Sequence, residues 1–308
     1  MNRVLVIGAT GLVGSRFVEL AKNKQSLASQ GPGRLDIIAV DENTLDITDK
    51  SSVEKYFNKN PFDSVVNFAA IANVDGAEKE RNNKEGIVWK LNVEALKNLI
   101  EICNKTDRFL VQISTDFVFE GTTENSGPYD EYSLLPKSLS PNLSWYGWSK
   151  NRAEYIVQST KCRSAIVRIA YPFYASKYEL KLDFAKNYLK LYDDGKLFPL
   201  FTDQTLNVLN VDDLIDPLVK ILVEEIQGTF HIVSNDTTTP FNFVEYLLKK
   251  VRNVENVLEK GSMAEFLKIK DRTPRPRLGG LKTEITEKKL GIKFKNWQEM
   301  VDDFVLNI

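Results

Sequence analysis

The stretch "RVLVIGATGLVG", residues 3–14, decides how the rest of the chain is read. An apolar run that stops at a glycine is a short buried strand, and "SRFVELAKNK" (15–24) then follows at helical spacing. Between strand and helix stand Gly8, Gly11 and Gly14. At these offsets the first glycine allows a tight turn, the second lets backbone approach a pyrophosphate, and the third permits close helix packing. The helix start adds free N–H groups and the positive end of a dipole, both suited to phosphate. Glycines alone are weak evidence; glycines in a strand-turn-helix setting point to a dinucleotide.

Outward from this turn the first half of the chain alternates strands and helices. "LDIIAVD" (35–41), "FDSVVNFAA" (62–70) and "RFLVQIST" (108–115) read as strands. "KSSVEKYFNKN" (50–60) and "IVWKLNVEALKNLIEICNK" (87–105) read as the helices between them. Continuous Val/Ile/Leu strands between amphipathic helices belong to a parallel sheet covered on both faces. The expected fold is therefore α/β, a Rossmann-type doubly wound parallel sheet with a smaller, interleaved C-terminal α/β substrate domain. Residues 1–170 are assigned to the dinucleotide-binding domain, with a returning segment at about 205–234, and residues 171–308 to the substrate domain.

Bulk properties exclude several classes of function. A net charge of −1 over 308 residues offers nucleic acid no basic field. No apolar run approaches the roughly 20 residues of a membrane span, and the N-terminus lacks a signal-peptide pattern. Cys103 and Cys162 fit neither a disulfide framework nor a metal spacing, which suits a reducing, cytoplasmic setting. The single histidine, His231, rules out a multi-histidine zinc site, and no metal is expected. In "GTFHIVS" it alternates like a strand residue and reads as structural.

Asp41 closes the second strand, where a carboxylate would accept from the adenosine ribose hydroxyls and repel a 2′-phosphate. NAD(H) or NADP(H) is the expected cofactor, with NADH mildly favoured. The competing reading makes Asp41 the start of the loop "DENT". Asp46 and Ile47 follow where a side chain could meet the adenine edge, and Ala69 and Ala70 leave room over the third strand's carboxyl end.

Ser114, Thr115 and Asp116 end the fourth strand at the sheet edge that binds ligands in such folds. Downstream, "YGWSK" (146–150) places Tyr146 and Lys150 on one helix face. A phenol of ordinary pKa near 10 is a poor acid at neutral pH, and a neighbouring ammonium is expected to draw it down. A Thr115 hydroxyl would hold the substrate oxygen while the proton moves. Tyr192/Lys196 and Tyr246/Lys250 share the spacing without the setting and read as surface pairs.

At these residues the chain resembles the extended short-chain dehydrogenase/reductases and, within them, the dTDP-4-dehydrorhamnose reductase family. The resemblance rests on "GATGLVG", "LDITD", "VVNFAAIANVDGAEKE", "LNVEALKNL", "ISTDFVFEG", "YGWSK" and the tail "RPRLGGLKTEITEKKLGIKFKNWQEMV". It implies reduction of a nucleotide-diphosphate 4-keto-6-deoxy sugar by a catalytic set of Thr115, Tyr146 and Lys150. Thr115 and Asp116 would touch the sugar nucleotide. Cofactor contacts are implied at Gly11, Leu12, Val13, Asp46, Ile47, Ala69, Ala70 and Ile71, besides Tyr146 and Lys150. Tyr171 stands where the family usually has a substrate-contacting tryptophan. The partner is thus a small-molecule sugar nucleotide, and a homodimer is compatible with this reading.

Three segments depart from the family pattern: the long "EYSLLPKSLSPNLSW" (131–145), "RIAYPFY" (168–174) and "TDQTLNVLN" (202–210). They put the sugar's identity in question and leave the cofactor chemistry intact. A sugar-nucleotide epimerase or dehydratase of the same superfamily is one alternative, although Phe117 stands where a dehydratase carries a second carboxylate. A non-catalytic dinucleotide-binding regulatory subunit is the other. In "DRTPRPRLGG" (271–280) the prolines forbid a regular helix. There Arg275 reads either as part of a solvated basic loop or as a diphosphate ligand, and the family's "RP" favours the second.

Overall fold

A computed structural model of the chain describes residues 2–27 and 35–308. Six strands form one sheet: β1 (Asn2–Ile7), β2 (Leu35–Val40), β3 (Ser64–Asn67), β4 (Phe109–Thr115), β5 (Ser164–Ile169) and β6 (Gly228–His231). Their order is β2-β1-β3-β4-β5-β6. Parallel pairing joins β1 to β2 and to β3, and β3 to β4. From β1 the chain runs outward to β2 and then returns to β3, so winding reverses between β1 and β3. Ligands of open α/β sheets bind at the carboxyl ends of the strands at such a switch point. Gly8 follows β1 and Ala69 follows β3, so the glycine turn and the small residues meet there.

Helices α1 (Leu12–Leu27), α2 (Lys50–Lys59), α3 (Ala95–Lys105), α4 (Trp145–Gln158), α5 (Phe184–Asp193), α6 (Ile215–Glu224), α7 (Pro240–Arg252), α8 (Glu284–Leu290) and α9 (Trp297–Leu306) account for most of the remaining regular structure. Alternation along the strands sends Leu5, Val65, Leu110 and Ile166 into one core with Val53 and Phe57 of α2, Leu96 and Leu99 of α3, and Ala153 and Val157 of α4. Helix α1 packs against β1, β2 and α6. Burying a side chain such as Phe57 contributes about 2–3 kcal/mol. The expected Rossmann-type architecture is thus the observed one.

By compactness the chain divides into two units. The first holds residues 1–118, 144–168 and 215–230; the second holds 119–143, 169–214 and 231–308. This differs in two places from the boundary at 170 with a return at about 205–234. Residues 119–143 join the second unit because their backbone pairs with its tail: Leu278 N–H donates to Gly121 O, and Tyr129 N–H to Gly280 O. The return starts at Ile215, where α6 begins.

The second unit has little sheet of its own. Leu200–Phe201 pairs with Lys260–Gly261, and Pro172–Phe173 with Leu209–Asn210. Its core is aromatic, with Phe173, Phe243, Trp297 and Phe304 gathered between α5, α7 and α9. Helix α9 is fixed at its start by a capping box between Asn296 and Glu299.

Candidate active site

The glycine turn has the shape that sequence reasoning assigns it. Gly8 has φ +75°, and a Cβ there would lie 2.5 Å from Ala69 N. A Cβ on Gly14 would lie 2.3 Å from Gly8 O. Side chains at either position would collide with backbone, at the loop after β3 for Gly8 and at the turn itself for Gly14, so both glycines are needed for the tight turn and close helix packing that suit a pyrophosphate. Helix α1 starts directly behind it at Leu12 and Val13, whose N–H groups lie in the first turn, where an α-helix supplies no intrahelical acceptor.

Along the sheet edge, Asp41 lies just beyond β2, and its carboxylate accepts from Thr44 N (2.8 Å) and Thr44 Oγ1 (2.6 Å). Those bonds hold its pKa below the ordinary carboxylate value. Asp46 is exposed and turned to Thr48. Ile47 is 4% exposed and packs in the hydrophobic core, so its side chain is not at the edge. Ala69 N–H donates to Asn67 Oδ1 and Ile71 N–H to Asn92 Oδ1.

Asn92 went unnoticed in the sequence. It sits in a π-helical turn, Lys90–Glu94, that interrupts the helix before α3, and π-bulges of this kind gather at functional sites. Its Nδ2 donates to Ser149 Oγ of α4 and to Ile71 O. One amide thereby stitches the loop after β3 to the helix carrying Tyr146. Glu78, within the quoted "VDGAE", does similar work by accepting from Trp145 N at 2.7 Å.

Helix α4 is capped by Ser144, whose side chain accepts from Gly147 N. Gly147 is needed for proximity: a Cβ would lie 2.2 Å from Phe117 O. The helix consequently docks on the segment just past β4, and Thr115, Asp116, Tyr146 and Lys150 come together. All four are 9% exposed or less. Thr115 stands beside the Tyr146 phenol and donates to Asp116 Oδ1 at 3.1 Å. Lys150 Nζ donates to Ile113 O at 2.7 Å.

Enclosure dominates the electrostatics. Burial pushes Asp116 up to about 7 against the hydrogen bond from Thr115. It brings Lys150 down to about 8 against the charge of Glu154. Burial also raises Tyr146 well above the ordinary phenol value; Thr115 opposes this and Asp116 adds to it. The expected downward pull of Lys150 on the phenol is not among the effects that act on it: the ammonium is directed to Ile113 O, and burial of the phenolate dominates.

The decoy pairs lack any such enclosure. Helix α5 ends at Asp193, before Lys196, while Tyr246 and Lys250 both bind Asp302 at the surface. His231 is fully buried, and its Nδ1 lies 2.8 Å from Lys282 O, which places the proton on Nδ1.

Tyr171 and Arg275 belong to the second unit. Tyr171 has φ +42°, an uncommon backbone conformation for a bulky residue, and its ring packs on Phe184. Arg275 lines a cavity of about 340 Å³ with Glu120, Thr123, Glu124, Arg272 and Arg277. Among the described residues no group of acidic, histidine or cysteine side chains could hold a metal ion. No described helix is long and apolar enough to cross a membrane.

Known proteins match this chain throughout. The family described as RmlD substrate binding domain covers residues 1–308. The probable low-salt glycan biosynthesis reductase Agl14 of Haloferax volcanii is 29% identical over 295 residues, 93% of this chain and 91% of that protein. The dTDP-4-dehydrorhamnose reductase of Aggregatibacter actinomycetemcomitans is 25% identical over 307 residues, 97% and 96% of the two chains. Among solved structures, the dTDP-4-dehydrorhamnose reductase of Bacillus anthracis in complex with NADP superposes with a TM-score of 0.82 at 24% identity, covering 100% of both chains. WbmG of Bordetella bronchiseptica, in complex with NAD, gives 0.74 at 16%, covering 99% of this chain and 93% of that one. Matched from end to end, the chain belongs to the RmlD substrate binding domain family, in agreement with the resemblance read from its motifs.

Proposed function

We propose that this chain is an NAD(P)H-dependent reductase of a nucleotide-diphosphate 4-keto-6-deoxy sugar, most like dTDP-4-dehydrorhamnose reductase. The observation that carries this reading is the enclosed Thr115–Asp116–Tyr146–Lys150 group on the same sheet edge as the glycine cradle. The names of the relatives, reductases among them, point the same way.

A nicotinamide dinucleotide would be held by Gly8, Gly11, Leu12, Val13 and Gly14 at its pyrophosphate, by Asp41 at the adenosine ribose, and by Tyr146 and Lys150 at the nicotinamide end. The reduced nicotinamide supplies the hydride that converts the sugar carbonyl to an alcohol. Thr115 holds the carbonyl oxygen, and Tyr146 gives it the phenolic proton. A raised phenol pKa suits a donor in this direction: the group stays protonated until the far more basic alkoxide develops beside it. The Lys150 ammonium then stabilises the phenolate. Asp41 favours NADH by repelling a 2′-phosphate. Asp116 and Tyr171 contact the sugar, and Arg275, with its planar fork of donors, grips the diphosphate.

The test is oxidation of NADH and NADPH by the purified chain against a panel of nucleoside-diphosphate 4-keto sugars. Turnover that requires both the keto sugar and its nucleotide is the expected result. Binding of the dinucleotide without turnover of any member of the panel would refute the reductase reading.

A further inference from the structure

One stripe of α4 reaches three successive residues at the end of β4. Tyr146 meets Thr115, Lys150 donates to Ile113 O, and Glu154 accepts from Ser114 Oγ at 2.5 Å. Steps of four residues keep the three side chains on one helix face. The first two contacts belong to the proposed chemistry. The third has no part in it so far.

Glu154 is fully buried, and so is its cationic partner: their side chains are 0% and 1% exposed. Arg168, from β5, donates to the carboxylate through Nε at 3.0 Å and Nη2 at 2.7 Å. Well-packed apolar residues often serve a core as well as a buried ion pair does, so the pair itself is weak evidence of a stabilising role. The next turn of the helix offers another one. Lys150 is 3% exposed, burial disfavours its ammonium, and the charge that opposes this loss is that of Glu154.

We propose that Glu154 is a positioning residue: fixed by Arg168 and Ser114, its carboxylate keeps the Lys150 ammonium charged and docked on Ile113 O, ready for the cofactor ribose. The inference rests on the reductase reading, in which Lys150 holds that ribose. Ser114 at the end of β4 and Arg168 on β5 bond Glu154, and Ile113 O accepts from Lys150; the other titratable groups at this end of the sheet, Tyr146 on α4 and Asp116 just past β4, gather about Thr115. Asp116 titrates at about 7 and Lys150 at about 8, so the alkaline limb is the one that reports Lys150. An ammonium is present below its pKa and lost as pH rises through it. Removing the charge that raises this pKa moves the limb to lower pH.

The readout is the affinity for NADH and NADPH against pH, followed by the fluorescence of the bound nucleotide, with the alkaline limb of kcat/KM beside it. Glu154→Gln keeps shape and removes charge but takes this carboxylate's counter-charge from the buried Arg168. The double variant Glu154→Gln/Arg168→Met removes both charges. Both are expected to lose affinity about one pH unit earlier than wild type, which is about fivefold weaker binding near pH 8, approaching about tenfold above pH 9, with nearly equal binding near pH 6. Ser114→Ala keeps both charges, frees the carboxylate from the strand, and is expected to shift the limb the same way by less.

An unshifted limb in the variants that fold overturns the proposal, as does a loss of affinity equal at every pH. A double variant that recovers both stability and the wild-type limb makes the pair purely structural and overturns it too. Wild-type protein that binds neither nucleotide at any pH defeats the reductase reading along with it. Wild-type binding with an unshifted variant limb defeats the role of Glu154 alone.

Discussion

Asp116 is the group whose replacement has the most readily calculated consequence. It is 3% exposed, and burial lifts it from 3.8 to about 7. Each unit corresponds to about 1.4 kcal/mol, so holding this carboxylate ionised inside the fold costs about 4 kcal/mol. The folded state binds the proton more tightly than the unfolded chain does. The stability is therefore intact below the unfolded value of 3.8 and erodes as pH rises, with the loss complete above about 7. Asp116→Asn keeps the shape and abolishes the titration. The gap in unfolding free energy between variant and wild type should widen by about 2–3 kcal/mol from about pH 5 to about pH 8, the variant being the more stable at the alkaline end. Urea unfolding followed by tryptophan fluorescence measures it, since Trp89, Trp145 and Trp148 lie in the unit that carries Asp116. A gap constant to within about 0.5 kcal/mol over that range would refute the reasoning. The variant should also turn over poorly, which is the usual trade between stability and a functional group kept in an unfavourable place.

The other expectations concern the proposed chemistry. Tyr146→Phe should lower kcat by about 10²–10⁴ with the dissociation constant of the dinucleotide nearly unchanged, since the hydroxyl acts mainly in the transition state; Tyr192→Phe and Tyr246→Phe should leave kcat as it is, and equal turnover by all three variants removes Tyr146 from the mechanism. Asp41→Ala should lower the ratio of kcat/KM for NADH to that for NADPH, and an unmoved ratio makes Asp41 a loop residue, as its bonds to Thr44 would also allow. Arg275→Ala should raise KM for the sugar nucleotide about tenfold, the worth of a hydrogen bond to a charged group, while NADH binding stays intact. Unchanged affinity for the sugar nucleotide would take this arginine out of the site.

What the sequence disclosed and what it withheld follow from how far apart the interacting residues lie. The strand, glycine turn and helix of residues 3–24 are contiguous, so their pattern is visible in one short run of letters. Tyr146 and Lys150 needed their setting to be told from two imitations, and the structure separates them by burial. Residues 119–143 carry no local sign of their allegiance, because the carbonyl and N–H groups they pair with lie around residue 280. The position of Ile47 in "LDIT" suggests the edge, whereas the turn held by Asp46 and Thr48 points it into the core. Glu154 looked like any charge on an amphipathic helix. Its distance of eight residues from Tyr146 was the available clue, but Arg168, on another element, was needed to give it meaning.

The division of the chain into alternating segments has a consequence for its history and its making. The polypeptide changes unit five times, at residues 118/119, 143/144, 168/169, 214/215 and 230/231. The sheet's last strand, β6, is synthesised only after most of the chain has left the ribosome, so the unit that holds the sheet cannot be finished early and the other appended afterwards. No single cut yields either unit whole, and a gene fusion at one point would not have built it. Novelty in such a chain enters instead as lengthened excursions, such as residues 119–143, whose ends remain tied to an unaltered sheet. Recombination that swaps those excursions between relatives would exchange one second unit for another while the segments of the sheet pass through untouched.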